Sequence, residues 1–413
     1  MAMPNDADIA ALDAADPLAG FHDAFSLPAG VIYLCGNSLG PPPRDAAARL
    51  AQVTTEQWGA HLVRGWTEDD WIGLPRRVGD KIARLIGAGP GEVAIADSTS
   101  VNLFKLLAAA GGLRPGRTTI LSQADNFPTD LYVAQGLADV SGDRWQLRTV
   151  AADAIADAID EECAVVMLSH VDYRTGALFD MSALTQMAHA KGALVLWDVA
   201  HSAGAVPVDL NGAAADFAVG CGYKYLNGGP GAPAFLFVAR RHQEAARSPL
   251  SGWMGHAAPF EFVPDYRPAE GITRFLCGTP VVLGIAGLEA GLDVTLAADL
   301  ASLRTKSQSL GDLFIARVEA LCADGDLTLA SPRAAAARGS QVCLTHPNGY
   351  AVMQVLIERG VIGDFRAPDI MRFGFAPLYL RYAEAAEAAR TLADVLAARA
   401  WDQPKYHQRA AVT

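Results

Sequence analysis

Between about residues 87 and 240 the chain alternates short runs of strand-forming apolar residues with segments of helical periodicity, which predicts a mainly parallel sheet covered by helices. Seven runs have strand character: Val93–Ala96, Thr118–Ser122, Trp145–Val150, Ala164–Ser169, Ala193–Trp197, Phe217–Val219 and Ala234–Val238. Several end in polar clusters: Ser122-Gln-Ala-Asp-Asn-Phe-Pro-Thr-Asp130, Ser169-His-Val-Asp-Tyr173, Asp198-Val-Ala-His201 and Cys221-Gly-Tyr-Lys-Tyr225. In open α/β sheets ligands bind beyond the carboxyl ends of the strands, so these clusters are expected to converge on one site.

Residues 281 to 323 read as a long Leu- and Ala-rich helical stretch. A strand over Ser340–Thr345, a helix after Asn348 and a last helix from Tyr382 to about Arg399 follow. Before the sheet, an extended Tyr33-Leu-Cys35 leads into Gly36-Asn-Ser-Leu-Gly40, three prolines and a helix from about Arg44. The expected division is an N-terminal arm and helix over 1–60 packing with the small domain, a large ligand-binding domain over 61–280, and a smaller α+β domain over 281–413.

Composition narrows the choice of partner. With 413 residues, 51% of them hydrophobic and 19% charged, the chain has material for one large core and a second smaller one. A formal net charge of −12 argues against a nucleic-acid partner, which needs clustered Lys and Arg, and favours a small-molecule ligand. Apolar runs such as Ala193–Trp197 have strand length, far short of the roughly 18–20 residues of a membrane helix, and the N-terminus lacks a basic start and an apolar stretch. The expectation is a cytoplasmic protein without membrane contact. Six dispersed cysteines and nine histidines show neither CxxC nor HxxxH spacing, so no disulfide framework and no metal site is expected.

The chemistry centres on Asp198 and Lys224, at the ends of consecutive predicted strands and about 25 residues apart. Lysine can form an imine with an aldehyde cofactor, and a carboxylate facing a ring nitrogen keeps it protonated so that the ring accepts electrons. Taken singly, each residue is as readily a helix-capping aspartate or a surface lysine in a turn; the pair and its spacing favour chemistry. Asp97-Ser-Thr-Ser-Val-Asn102 joins a strand to the apolar helix Leu103–Ala110, placing the Thr99 and Ser100 hydroxyls where a helix end favours phosphate, although ordinary capping uses the same residues. Phe127 and Asp130 offer an aromatic face and a second carboxylate.

Together, Gly36-Asn-Ser-Leu-Gly40, Phe127-Pro-Thr-Asp130, Asp198-Val-Ala-His201, Tyr223-Lys-Tyr-Leu-Asn-Gly228 and Gly252-Trp-Met-Gly-His256 resemble kynureninase over about residues 31 to 382. The resemblance implies a fold-type-I, pyridoxal 5'-phosphate-dependent, aspartate-aminotransferase-like architecture. It implies a homodimer with shared active sites that hydrolyses the Cβ–Cγ bond of L-kynurenine to anthranilate and L-alanine in tryptophan degradation. Carried over by position, Lys224 bonds the cofactor, Asp198 partners its ring nitrogen with His201 beside it, and Tyr223 is a candidate general acid or base. Thr99, Ser100, Ser169 and Tyr223 match phosphate- or ring-contacting positions, and Phe127 matches the stacking residue with Asp130 nearby. Trp253 and Thr279 match positions that reach the phosphate from the neighbouring subunit. Ser38, Trp66, Met254 and Gly278 fall at substrate contacts, and Arg372 where the α-carboxylate binds.

In related proteins a histidine can stand at Trp66 and Ser-Asn at Gly278-Thr279, which predicts 3-hydroxykynurenine as the poorer substrate here. Two rival readings stay open. A cysteine desulfurase or selenocysteine lyase has the same fold and cofactor but needs a thiol on a mobile loop, for which Cys322 and Cys343 are the C-terminal candidates. A non-catalytic protein that binds the cofactor or an amino acid as effector is the other.

Overall fold

The structure, a computed structural model, describes residues 5–322 and 326–409. Its centre is the expected seven-stranded sheet, in the order Val93–Ile95, Ala234–Val238, Phe217–Cys221, Leu194–Asp198, Cys163–Ser169, Thr119–Gln123, Gln146–Val150. All neighbours pair in parallel except Ala234–Val238, which runs antiparallel to the strands on both sides. Predicted strand limits lie within two residues of these.

Both faces of the sheet are covered, which is why its central strands are apolar almost throughout. Along Leu194–Asp198 the side chains alternate: Val195 and Trp197 join a core with Val78 and Ile82, whereas Leu194 and Leu196 join one with Leu103 and Leu106 on the opposite face. The helix Leu74–Leu85 buries Val78, Ile82 and Leu85 at three- to four-residue spacing and leaves its arginines outside.

A third core unites both ends of the chain: Phe25 and Leu34 from the N-terminal arm pack with Phe314, Phe373, Tyr379 and Leu392. Ile32–Tyr33 pairs in parallel with Val361–Ile362. Beside them stands an antiparallel sheet ordered Asp364–Arg366, Ile370–Gly374, Gln341–Thr345, Thr328–Leu329, of which the apolar pattern exposed only the Gln341–Thr345 strand. The helical stretch expected over 281–323 is two helices, Val282–Ala297 and Leu300–Leu321. Asp299 divides them because its carboxylate accepts from Ser302 N at 2.8 Å and caps the second. Ala323, the last residue of that expected stretch, lies outside the described residues. The helix expected from Arg44 is Ala46–Gln52, extended by a wider-wound turn over Val53–His61. Among the described residues no helix is long and apolar enough to cross a membrane.

Candidate active site

The carboxyl ends of the strands open on a cavity of about 640 Å³ lined by Thr99, Ser100, Phe127, Asp130, Asp198, Tyr223, Lys224, Gly278 and Thr279, among others. Thr99 and Ser100 open the helix Thr99–Gly112, whose N-cap Ser98 accepts from Val101 N; the next free N–H groups of that first turn point outward, as an anion requires. Two arrangements hold this turn. Asp97 adopts a left-handed backbone (φ 48°), and its carboxylate meets the wholly buried Lys105 Nζ at 2.7 Å. The same ammonium donates to Phe275 O at 2.8 Å and so fastens the Thr99–Ser100 turn to the segment bearing Gly278 and Thr279. Lys105 was legible only as a lone cation in an apolar helix.

Lys224 leaves the end of Phe217–Cys221 in a tight loop closed by Gly228 N to Gly222 O (2.9 Å) and Asn227 N to Lys224 O (2.9 Å), with Asn227 at φ 56°. Gly40 of the N-terminal motif donates to Tyr223 O at 2.8 Å. A Cβ at Gly40 would stand 2.4 Å from Lys224 O, so only glycine lets the arm support the lysine loop. Lys224 Nζ lies 5.9 Å from the centre of the Phe127 ring. Phe127 is steered by Asn126, whose Oδ1 accepts from Phe127 N (2.8 Å) and from Ser169 Oγ (2.7 Å) while its Nδ2 donates to Ser122 Oγ (3.1 Å). Ser169 therefore stands one bond behind the cavity wall, and Asn126 is a supporting residue that its neighbours concealed.

Asp198 and Asp130 on the cavity wall, and the buried His201 three residues beyond Asp198, are short of hydrogen-bond partners. Asp198, buried, accepts one side-chain bond, from Ala200 N at 2.8 Å; Asp130 Oδ2 and His201 Nδ1 have none. Burial pushes the Asp198 carboxyl up, and burial followed by the Asp198 charge pushes Asp130 up further. Burial and then Lys224 hold His201 far below the usual imidazole range, so it is neutral. The neighbouring Cys221 and burial raise the Tyr223 phenol, keeping it protonated. Buried polar groups without partners are costly, and a cationic, flat heteroaromatic ring above Asp198 with an anionic group at the Thr99 turn would satisfy them. The residues present thus fit pyridoxal 5'-phosphate.

The other predicted site residues form two neighbouring groups. Ser38 and Arg372 meet directly, Arg372 Nη2 donating to Ser38 Oγ at 3.0 Å, and Arg372 Nη1 donates to Tyr173 O at 2.8 Å. Tyr173 in turn packs edge-on against Phe127, linking this group to the cavity wall. The fork of Arg372 is already engaged by Asp364, a residue without a signal of its own until the register sets it opposite Arg372. Trp66 and Trp253 pack edge-on at 6.2 Å in an aromatic cluster with Trp71, Phe260 and Phe262, and Met254 is buried beside Trp253. Trp66, Trp253 and Met254 do not line the cavity of their own chain, whereas Gly278 and Thr279 do.

Fold and site together define a pyridoxal-phosphate-dependent enzyme of fold type I. Solved structures agree in fold: the cysteine desulfurase of Thermococcus onnurineus NA1 matches with a TM-score of 0.75 at 18% identity over 96% of this chain and 99% of that one. A cystine C–S lyase in complex with its product cysteine persulfide matches with a TM-score of 0.75 at 21% identity over 89% and 98%. Residues 78–219 match the DegT/DnrJ/EryC1/StrS aminotransferase family and residues 303–392 the kynureninase C-terminal domain. Kynureninase of Burkholderia pseudomallei (strain 1106a) is 55% identical over 410 residues, 98% of each chain, and that of Deinococcus radiodurans 56% over 395 residues, 94% of this chain and 96% of the relative. The chain belongs to the kynureninase family.

Proposed function

We propose that this chain hydrolyses the Cβ–Cγ bond of L-kynurenine, releasing anthranilate and L-alanine. The observation that carries the reading is the pair of underbonded carboxylates at the strand ends, Asp198 and Asp130, lining one cavity with Lys224 in a chain of this family. Bound there, pyridoxal phosphate supplies an electron sink beside the substrate's α-carbon. Lys224 Nζ would hold the cofactor through its aldehyde and, when free of it, would carry the substrate's α-proton. Asp198 keeps the ring nitrogen protonated, Phe127 covers the ring, and the Thr99–Ser100 turn holds the phosphate. Tyr223 O–H would donate a proton to the γ-carbonyl oxygen as water adds and regain the proton that water gives up; the hydroxyl proton released as the carbon–carbon bond breaks balances the one taken up by the alanine fragment. The desulfurase reading is not favoured by either candidate thiol: Cys343 is fully buried in the Gln341–Thr345 strand, where burial pushes it up to about 12, and burial also raises the Cys322 thiol, so neither is readily ionised.

The reading extends to a cytoplasmic homodimer with shared sites and to the expected division at residues 60 and 280. Trp58, Leu62, Val63, Phe260, Phe262, Val281 and Leu283 are exposed around the Trp66–Trp253 cluster and the cavity rim, an apolar surface suited to a second copy. In such a dimer Trp253, and Thr279 from the rim, serve the neighbour's phosphate. Incubating the cofactor-loaded protein with L-kynurenine and following anthranilate tests the reaction; release of sulfide from cysteine with no anthranilate would overturn it. A fully active monomer in sedimentation would overturn the shared site.

A further inference from the structure

The strands Asp364–Arg366 and Ile370–Gly374 place three charged side chains around Ser38. Asp364 lies opposite Arg372 in the register, and Arg366, two residues on, emerges on the same face as Asp364. Arg372 is 2% exposed and largely committed: Nε donates to Asp364 Oδ1 at 2.6 Å, Nη2 to Asp364 Oδ2 and to Ser38 Oγ, and Nη1 to Tyr173 O. Of its five N–H groups one is left, so it cannot grip an incoming carboxylate with two prongs while Asp364 stays in place.

Arg366 is the less committed fork. Its Nη1 donates to its own strand at Phe365 O (2.7 Å), its Nη2 lies 3.2 Å from Ser38 Oγ and 3.1 Å from Asp364 Oδ2, and its side chain is 35% exposed. Among these directly bonded groups two guanidiniums share one carboxylate, which leaves one positive charge unmatched. Burial and then the like charge of Arg372 both disfavour that charge on Arg366, and the attraction of an arriving anion would offset them. The charge is next to the cavity wall: Arg372 Nη1 bonds Tyr173 O at 2.8 Å, and the Tyr173 ring packs edge-on against Phe127, which lines the cavity.

We propose that the α-carboxylate of the substrate is bound by Arg366 and Arg372 jointly, Arg366 contributing the donors that Arg372 has already given to Asp364, with Asp364 as the positioning residue that holds both forks. This rests on the reading of the substrate as an α-amino acid. The test compares the cofactor-loaded wild type, Arg366→Gln and Arg366→Lys, using turnover of L-kynurenine and calorimetric binding of two probes, L-alanine and the decarboxylated amine of kynurenine. Loss of a charge-assisted pair should raise the KM of Arg366→Gln roughly ten- to a hundredfold, with the smaller effect on kcat, and weaken L-alanine by a similar factor. The carboxylate-free amine should bind the variant as it binds wild type, and Arg366→Lys should recover part of the loss. If both probes weaken equally, or L-alanine does not weaken at all, Arg366 does not hold the carboxylate. Absence of kynurenine turnover in the wild type would instead overturn the proposed reaction, and the two-probe comparison, which reads binding alone, would still decide the role of Arg366.

Discussion

Asp198 and Asp216 are buried aspartates at opposite ends of adjacent strands, and they live in opposite chemical worlds. Asp216, just before Phe217–Cys221, accepts from His189 Nε2 (2.8 Å), Val195 N (2.8 Å), Arg241 Nη2 (2.6 Å) and His242 Nε2 (2.7 Å). Burial alone would raise its carboxyl, but the bonds from His189, His242 and the Val195 amide overturn that and hold it well below the usual range. Asp198, at the far end, has one backbone donor, and burial prevails. A charge that serves the fold is saturated by the fold; a charge that serves a ligand is left waiting for one.

The comparison is broken most directly at its functional end. Lys224→Ala should lower kcat at least about a thousandfold and abolish covalent attachment of the cofactor. Borohydride reduction and peptide mapping check it, and a cofactor found on any other lysine would sink the site. Next, Asp198→Asn and Asp216→Asn should separate cleanly. Asp198→Asn should lose about a hundredfold or more in kcat with the fold intact. Asp216→Asn, which removes the buried carboxylate that accepts from His189, Arg241 and His242, should cost about 3–5 kcal/mol of stability and leave kcat of the folded fraction near that of wild type. Matching losses of activity and melting temperature in both variants would erase the distinction.

His170 gives a milder, pH-dependent case. Its ring is buried against Trp197, with Nδ1 2.9 Å from Ser202 Oγ, and burial pushes it down to about 4 from 6.5. The unfolded chain binds the extra proton between those values, so this contribution is fully present above pH 6.5 and is lost as pH falls toward 4. It amounts to on the order of 3 kcal/mol. In melting curves at about pH 7.5 and about pH 5, His170→Gln should show a smaller acid loss than wild type, and an equal loss would refute the assignment. The smallest effect concerns the substrate. In the proposed dimer, with Trp66 brought to the site by the neighbouring copy, a ring hydroxyl would meet Trp66 and Gly278-Thr279 in place of His and Ser-Asn and lack partners. Kynurenine should therefore be preferred over 3-hydroxykynurenine by about ten- to a hundredfold in kcat/KM. Equal values for the two substrates would show that water or Thr279 satisfies the hydroxyl.

The sheet, its strand limits and the meeting of Asp198 with Lys224 were legible because apolar periodicity and strand-end position are local properties of the chain. So were Thr99, Ser100, Phe127 and Tyr223, each beside a strand end. Tertiary structure alone decided the antiparallel course of Ala234–Val238, the break at Asp299 and the sheet holding Asp364 and Arg372, since a pairing partner distant in sequence leaves no trace in a local pattern. It alone decided, too, that Lys105 staples the Thr99–Ser100 turn, that Gly40 underlies the lysine loop, and that Asp364 takes the fork of Arg372 and leaves Arg366 the freer cation. The sequence determines which charges exist; whether a buried charge is satisfied or left open depends on which distant segments fold against it.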